Sequence, residues 1–151
     1  MTIAKFDFIA TALFVVATAL GASLFGSWKY LAAGVAGAMF LVGCVVFLMA
    51  FARAVQRSRT DAIGIGGLYF LAGSVAPNQV TRTFNGLLAV QCVAAVAGAA
   101  IRPYSAMAFG VLAPMLGLAL SGLWGAKFGE FGSRSVSRVG KEREAASDRP
   151  E

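Results

Sequence analysis

The sequence predicts an all-α membrane protein, a four-transmembrane-helix bundle with a glycine-rich, non-spanning segment in its central cytoplasmic loop. Three observations carry that prediction. The chain of 151 residues is 58% hydrophobic with a mean hydropathy of +0.75, and only 13% of its residues are charged. That is about half the charge of a soluble domain. Four charge-free runs are long enough to cross a bilayer, and the basic residues are partitioned unevenly between their flanks. Lipid solvates apolar side chains while helices satisfy their own backbone groups, so insertion is the state open to such a chain.

The first run is Phe8 to Gly26, 19 residues, about 28 Å of helix. Lys5 and the small residues Ala17-Thr18-Ala19 give it some signal-peptide character. Asp7 and the continuation of the run beyond that site argue instead for an uncleaved span. The second run is Leu31 to Ala52, with 22 residues; the third, Phe84 to Ile101, has 18 and is closed by Arg102 and Pro103. The fourth, Ala106 to Ala126, has 21 residues and is closed by Lys127. Pro114 removes a backbone donor and clashes with the preceding turn, so it should bend this span.

Between the second and third spans lies GIGGLYFLAGSVAP, Gly64 to Pro77. Ala62 to Ala76 is 15 residues, about 22 Å as helix, below a hydrocarbon core of about 30 Å. With four spans, the N-terminus, the central loop and the tail carry eleven Lys and Arg, and the two hairpin loops carry two, Lys29 and Arg102. That bias sets both termini in the cytoplasm, in a cell membrane crossed several times, and a fifth crossing would abolish it. Gly64, Gly66, Gly67 and Gly73 disfavour a free-standing helix, and the apolar residues among them make no one-sided stripe. The segment 62–77 is therefore expected to pack at the cytoplasmic boundary as a shallow re-entrant turn or a short helix, a candidate interaction loop. The domain boundary falls at 128: residues 1–128 form the membrane domain, and the polar, mixed-charge stretch 129–151 is expected to be a disordered cytoplasmic tail.

The net charge of +6 and pI of 9.9 do not point to nucleic acid, because the basic residues flank apolar runs. The expected partners are the lipid bilayer and another membrane protein or a second copy of the chain. No histidine is present, Cys44 and Cys92 fall in apolar runs, and no metal-ligand spacing occurs, so no cofactor, metal or catalytic site is expected. Gly64 to Gly67 lacks the lysine and the preceding strand of a phosphate loop. The seven acids, Asp7 among them, are placed outside the four charge-free runs. That placement leaves no intramembrane carboxylate for proton relay or cation binding.

Two features are left as candidate sites. Gln91, midway along the third span, is a candidate interhelical polar contact. Ala113, Gly117, Ser121 and Gly125 make one small-residue face of the fourth span. It is a candidate helix-docking face, for packing within the bundle or for another membrane protein. Trp28, Tyr30, Tyr104 and Trp124 sit where interfacial aromatic anchors are expected.

The stretches GIGGLYFLAGSVAP and AIRPYSAMAFGVLAPMLGLALSGLWGAKFGEF resemble small, uncharacterised integral membrane proteins of actinobacteria, mycobacteria included, over roughly residues 59–131. The resemblance implies a membrane protein and supplies no activity. The reading is a non-enzymatic accessory or scaffold subunit of a larger membrane complex. The alternative is a small oligomeric transporter or lipid-binding membrane protein, with an enzyme third.

Overall fold

The computed structural model describes residues 2–24 and 27–133. Five α-helices and one 3-10 helix follow in order: α1 (Thr2–Ser23), α2 (Trp28–Arg57), α3 (Ile65–Phe70), α4 (Asn78–Ile101), the 3-10 helix (Ala106–Leu112) and α5 (Pro114–Phe128). No strand occurs among the described residues; Asp61 and Ser133 form one isolated antiparallel bridge. Four segments are long and apolar enough to cross a membrane: α1, α2, α4, and the 3-10 helix with α5 taken together. The all-α four-helix bundle is thus observed.

The fourth segment is the central one, with half of its most apolar stretch buried against 22% in each of the other three. Its neighbours come close because glycines let them. A Cβ on Gly43 of α2 would lie 2.8 Å from the Leu116 backbone nitrogen and 2.9 Å from the Met115 carbonyl carbon. In lipid, helices associate through dispersion contacts and polar bonds rather than hydrophobic expulsion, so such backbone approach is the main source of cohesion.

α1 and α4 run parallel in a constant register, paired at an offset of 80 residues. Thr11 bonds to Gln91, a Cβ on Gly98 would press on Thr18, and Arg102 donates to the Ala22 carbonyl at 3.0 Å. Asp7, Thr11 and Thr18 of α1 meet Gln91 and Gly98 of α4 across this seam, all five of them buried.

Two boundaries differ from those expected. α1 begins at Thr2, not Phe8, so Lys5 and Asp7 are helical residues within the spanning element. The fourth span is not one bent α-helix. Residues 106–112 are 3-10, and Pro114 occupies the first turn of α5, where its missing donor costs nothing. Proline there starts a helix instead of kinking one.

The segment 62–77 holds one short helix. α3 has six residues, about 9 Å, far short of a bilayer core of about 30 Å. It ends at Leu71 in the left-handed conformation (φ 53°), followed by Gly73 (φ 75°) and Ser74 (φ 63°). The segment enters and leaves at the end of the bundle where α2 and α5 finish and α4 begins. There Arg57 donates to Asp61 at 2.8 Å and to the carbonyls of Ala126 and Gly129 at 3.1 and 3.2 Å. Of the tail expected to be disordered from 129, residues 129–133 are held. Glu130 N–H donates to Val75 O, Gly132 O accepts from Ala62 N–H, and Phe131 lies under the Arg57 guanidinium at 5.5 Å. Residues 134–151 lie outside the described residues.

Candidate functional site: a buried polar cluster and a neighbouring groove

Gln91 is fully buried on the inner face of α4, at about the middle of the span. Some 14 Å of helix separate it from Arg82 and some 16 Å from Arg102. Its amide Nε2 donates to Thr11 Oγ1 at 2.6 Å and to Asp7 Oδ1 at 3.1 Å. The side chain lies level with Thr11 and reaches one turn along α1 to Asp7. Asp7 is itself fully buried, and Asp7 Oδ2 and Gln91 Oε1 have no hydrogen-bond partner among the described residues. A carboxyl group therefore does stand inside the bundle, which corrects the expectation that all seven acids lie outside the spans. Asp7 adjoins a charge-free run in one dimension, but in three its helix extends beyond that run and turns this side chain inward.

The spacing 7, 11, 14, 18, 21 along α1 was the overlooked signal. It places Asp7, Thr11 and Thr18 on the same helical face as Phe14 and Gly21. An intramembrane ionisable group facing such a seam is expensive to bury and points to function by default.

Gly117 of α5 forms the third wall. A Cβ there would lie 2.7 Å from Gln91 Oε1 and 3.1 Å from Nε2, so only glycine leaves room for the amide. The remaining members of the small face are likewise occupied by this chain. Ser121 Oγ donates to the Tyr69 carbonyl, a Cβ on Gly125 would meet Leu68 O at 2.5 Å, and Ala113 is fully buried in the core. Of the two readings of this candidate docking face, the structure shows packing within the bundle, against α3 and α4 of the same molecule.

Beside the cluster, α1, α4 and α5 leave a groove of about 520 Å³ at the end of the bundle that holds α3. Its walls are Ala4, Phe8, Ile9, Val80, Phe84 and Trp124, and its polar members are Lys5, Gln79 and Thr83, all three exposed. The volume is that of a small-molecule site, about 300 to 1,000 Å³. Trp124, expected as an interfacial anchor, is half-buried between Phe84 and Phe128, with ring centroids 6.4 and 5.7 Å away. Trp28, Tyr30 and Tyr104 are exposed.

The glycines of the 62–77 segment do not act together. Gly64, Gly66 and Gly73 face open space, whereas Gly67 packs against Val75 and Phe131. Tyr69 stacks on Phe47 at 4.6 Å, and burial pushes its phenol above the ordinary tyrosine value. Cys44 is half-buried and Cys92 exposed, and no metal-ligating cluster occurs among the described residues.

The fold and the buried cluster define a multi-pass membrane protein. Compared with family models, with characterised proteins and with solved structures, the chain matches none.

Proposed function

We propose that the chain is a non-enzymatic membrane protein that binds an anionic lipid. The acyl chain lies in the α1–α4 groove, and the phosphate of the headgroup is held at Lys5. The groove carries this reading. Its walls are apolar along the span, its cation stands at the end of the bundle, and Lys5 makes no ion pair among the described residues. The first turn of α4 begins beside it, with Gln79 in the groove wall, and adds the positive end of a helix dipole. Arg53, Arg57, Arg82 and Lys127 lie on the elements that converge on the same end. That end is assigned to the cytoplasm, with both termini, because eleven basic residues belong to it and two to the other. Anionic lipid is attracted there at about 1 kcal/mol per basic residue.

The accessory-subunit reading rested mainly on the small face of the fourth span. That support weakens once the face is filled by α3 and α4, and the lipid reading gains a positive observation in its place. The test is native mass spectrometry of the protein released from mild detergent. One anionic lipid should be retained in preference to zwitterionic lipid. Lys5→Glu should abolish the preference, and Ala4→Phe, which fills the groove, should abolish retention. Retention that ignores headgroup charge and survives both substitutions contradicts the proposal.

A further inference from the structure

The two atoms left without partners in the buried cluster belong to the two groups that already touch. Asp7 Oδ1 accepts from Gln91 Nε2 at 3.1 Å, while Asp7 Oδ2 and Gln91 Oε1, both acceptors, lack donors. A carboxylic acid and a primary amide pair through two bonds in one ring: amide N–H to acid C=O, and acid O–H to amide C=O. One half of that ring is present. A hydrogen on Oδ2 is the one donor that these two groups can add, and turned towards Oε1 it completes the ring.

We propose that Asp7 is a proton-binding site within the membrane domain, its neutral carboxyl closed against Gln91 in an acid–amide ring. Thr11 and Gly117 fix the amide in place. The step is a simple exchange: the Asp7 carboxylate takes a proton from water and forms the Oδ2–H bond, and on release the proton returns to water. Release leaves a carboxylate and an amide oxygen without donors at a site with no exposed surface, where burying an unpaired charge is costly. Among the described residues no ion pair offsets that charge. Lys5 on α1, Arg82 on α4, Arg53 and Arg57 on α2 and Lys127 on α5 are the charges on the elements that reach this end, and the 3-10 helix has none. Among the described residues Asp7 forms no ion pair with any of them. Gln91 is the positioning residue, and Gly117 is the space that admits it. The site stands independently of the lipid groove.

The test uses the full chain in lipid nanodiscs with aspartate-specific ¹³C labelling, read by infrared spectroscopy. The chain has three aspartates, Asp7, Asp61 and Asp148, so the assignment is short. At about pH 5.5, where an ordinary aspartate is ionised, a protonated-carboxyl band should be present, and Asp7→Asn should remove it. In Gln91→Glu the band should persist at a shifted frequency, since its acid-to-acid ring has a different partner. Asn at position 7 reproduces the neutral ring with an N–H in place of the O–H. Asp7→Asn should therefore be folded, and its stability should be flat as pH rises. The wild type should lose stability as pH rises above the ordinary aspartate value of about 4, by up to about tenfold per pH unit, the slope of one proton, until the buried group is itself ionised. Absence of the band at about pH 5.5 overturns the proposal, whether an ordered water or a sodium ion satisfies the ionised group. So does a band that Asp7→Asn leaves in place, and so does a wild-type stability that does not depend on pH where Asp7→Asn is also flat.

Discussion

The Ser121 hydroxyl donates to the backbone carbonyl of Tyr69 at 2.5 Å, and this bond ties the short helix α3 to the central helix α5. C-terminal to it α5 carries two glycines. A Cβ on Gly122 would lie 2.5 Å from the Tyr69 ring, and one on Gly125 would lie 2.5 Å from Leu68 O. A segment too short to be a stable helix by itself is thus held by one polar bond and two close approaches.

Ser121→Ala removes the bond but keeps the approach. It should cost about 1 kcal/mol, with the spans still inserted. Gly125→Leu places carbon where the Leu68 carbonyl now lies, and it should detach α3 altogether. Limited proteolysis between Asp61 and Asn78 reports this. The accelerated cleavage should follow the order wild type, Ser121→Ala, Gly125→Leu. Equal cleavage in all three would mean that α3 is held by other contacts.

Glycines that look alike in the sequence should behave oppositely. A Cβ on Gly43 meets backbone atoms of Leu116 and Met115 at 2.8 to 3.0 Å, and backbone cannot swing aside. Gly43→Ala should therefore separate α2 from α5 and cost several kcal/mol, at the upper end of overpacking effects of about 1 to 3 kcal/mol. Gly37, six residues earlier on the same helix, has nothing within 4 Å. Gly37→Ala should be neutral or stabilise by up to about 1 kcal/mol through helix propensity. Thermal unfolding in detergent separates the pair.

The fourth-span glycine at the polar cluster is coupled to its neighbour. Gly117→Ala pushes on the Gln91 amide, which Asp7 and Thr11 hold, and should cost about 1 to 3 kcal/mol through lost buried hydrogen bonds. Gln91→Ala removes the group that the new methyl would strike. The double substitution should then cost less than the sum of the two singles. Strict additivity in a double-mutant cycle would place the two residues out of contact.

The charge-free runs located all four segments long and apolar enough to cross a membrane, since length and apolarity are what such a segment requires. The non-spanning nature of the 62–77 segment followed from its length and its glycines. Asp7 was missed because hydropathy is one-dimensional: an acid beside the first run was counted as flank, although its spacing from Thr11, Phe14 and Thr18 places it on the packed face. The residues that fill the small face of the fourth span were also hidden. Ala113, Gly117, Ser121 and Gly125 say that something approaches closely, and only the folded chain identifies it as α3 and Gln91. The groove is a relation among Lys5, Gln79 and Trp124, residues with no sequence proximity at all.

The proposed orientation makes a further prediction. Single cysteines at Lys29 and Arg102, in a background with Cys44 and Cys92 replaced, should label with an impermeant reagent from outside intact cells. Cysteines at Arg59 and Asn78 should label only after permeabilisation. Labelling of Asn78 from outside would reverse the assignment of the α3 end.

The lipid reading is tested most directly by locating the lipid itself. An anionic phospholipid carrying a photoreactive group on its acyl chain is incorporated in nanodiscs with the full-length protein, irradiated, and mapped to peptides. The groove predicts crosslinks concentrated on Phe8, Ile9 and Phe84, abolished by Ala4→Phe and competed by unlabelled anionic lipid but not by zwitterionic lipid. Crosslinks spread evenly over outward residues such as Leu41, Leu48 and Val93, with no excess in the groove and no effect of Ala4→Phe, would show lipid acting only as solvent and would contradict the account.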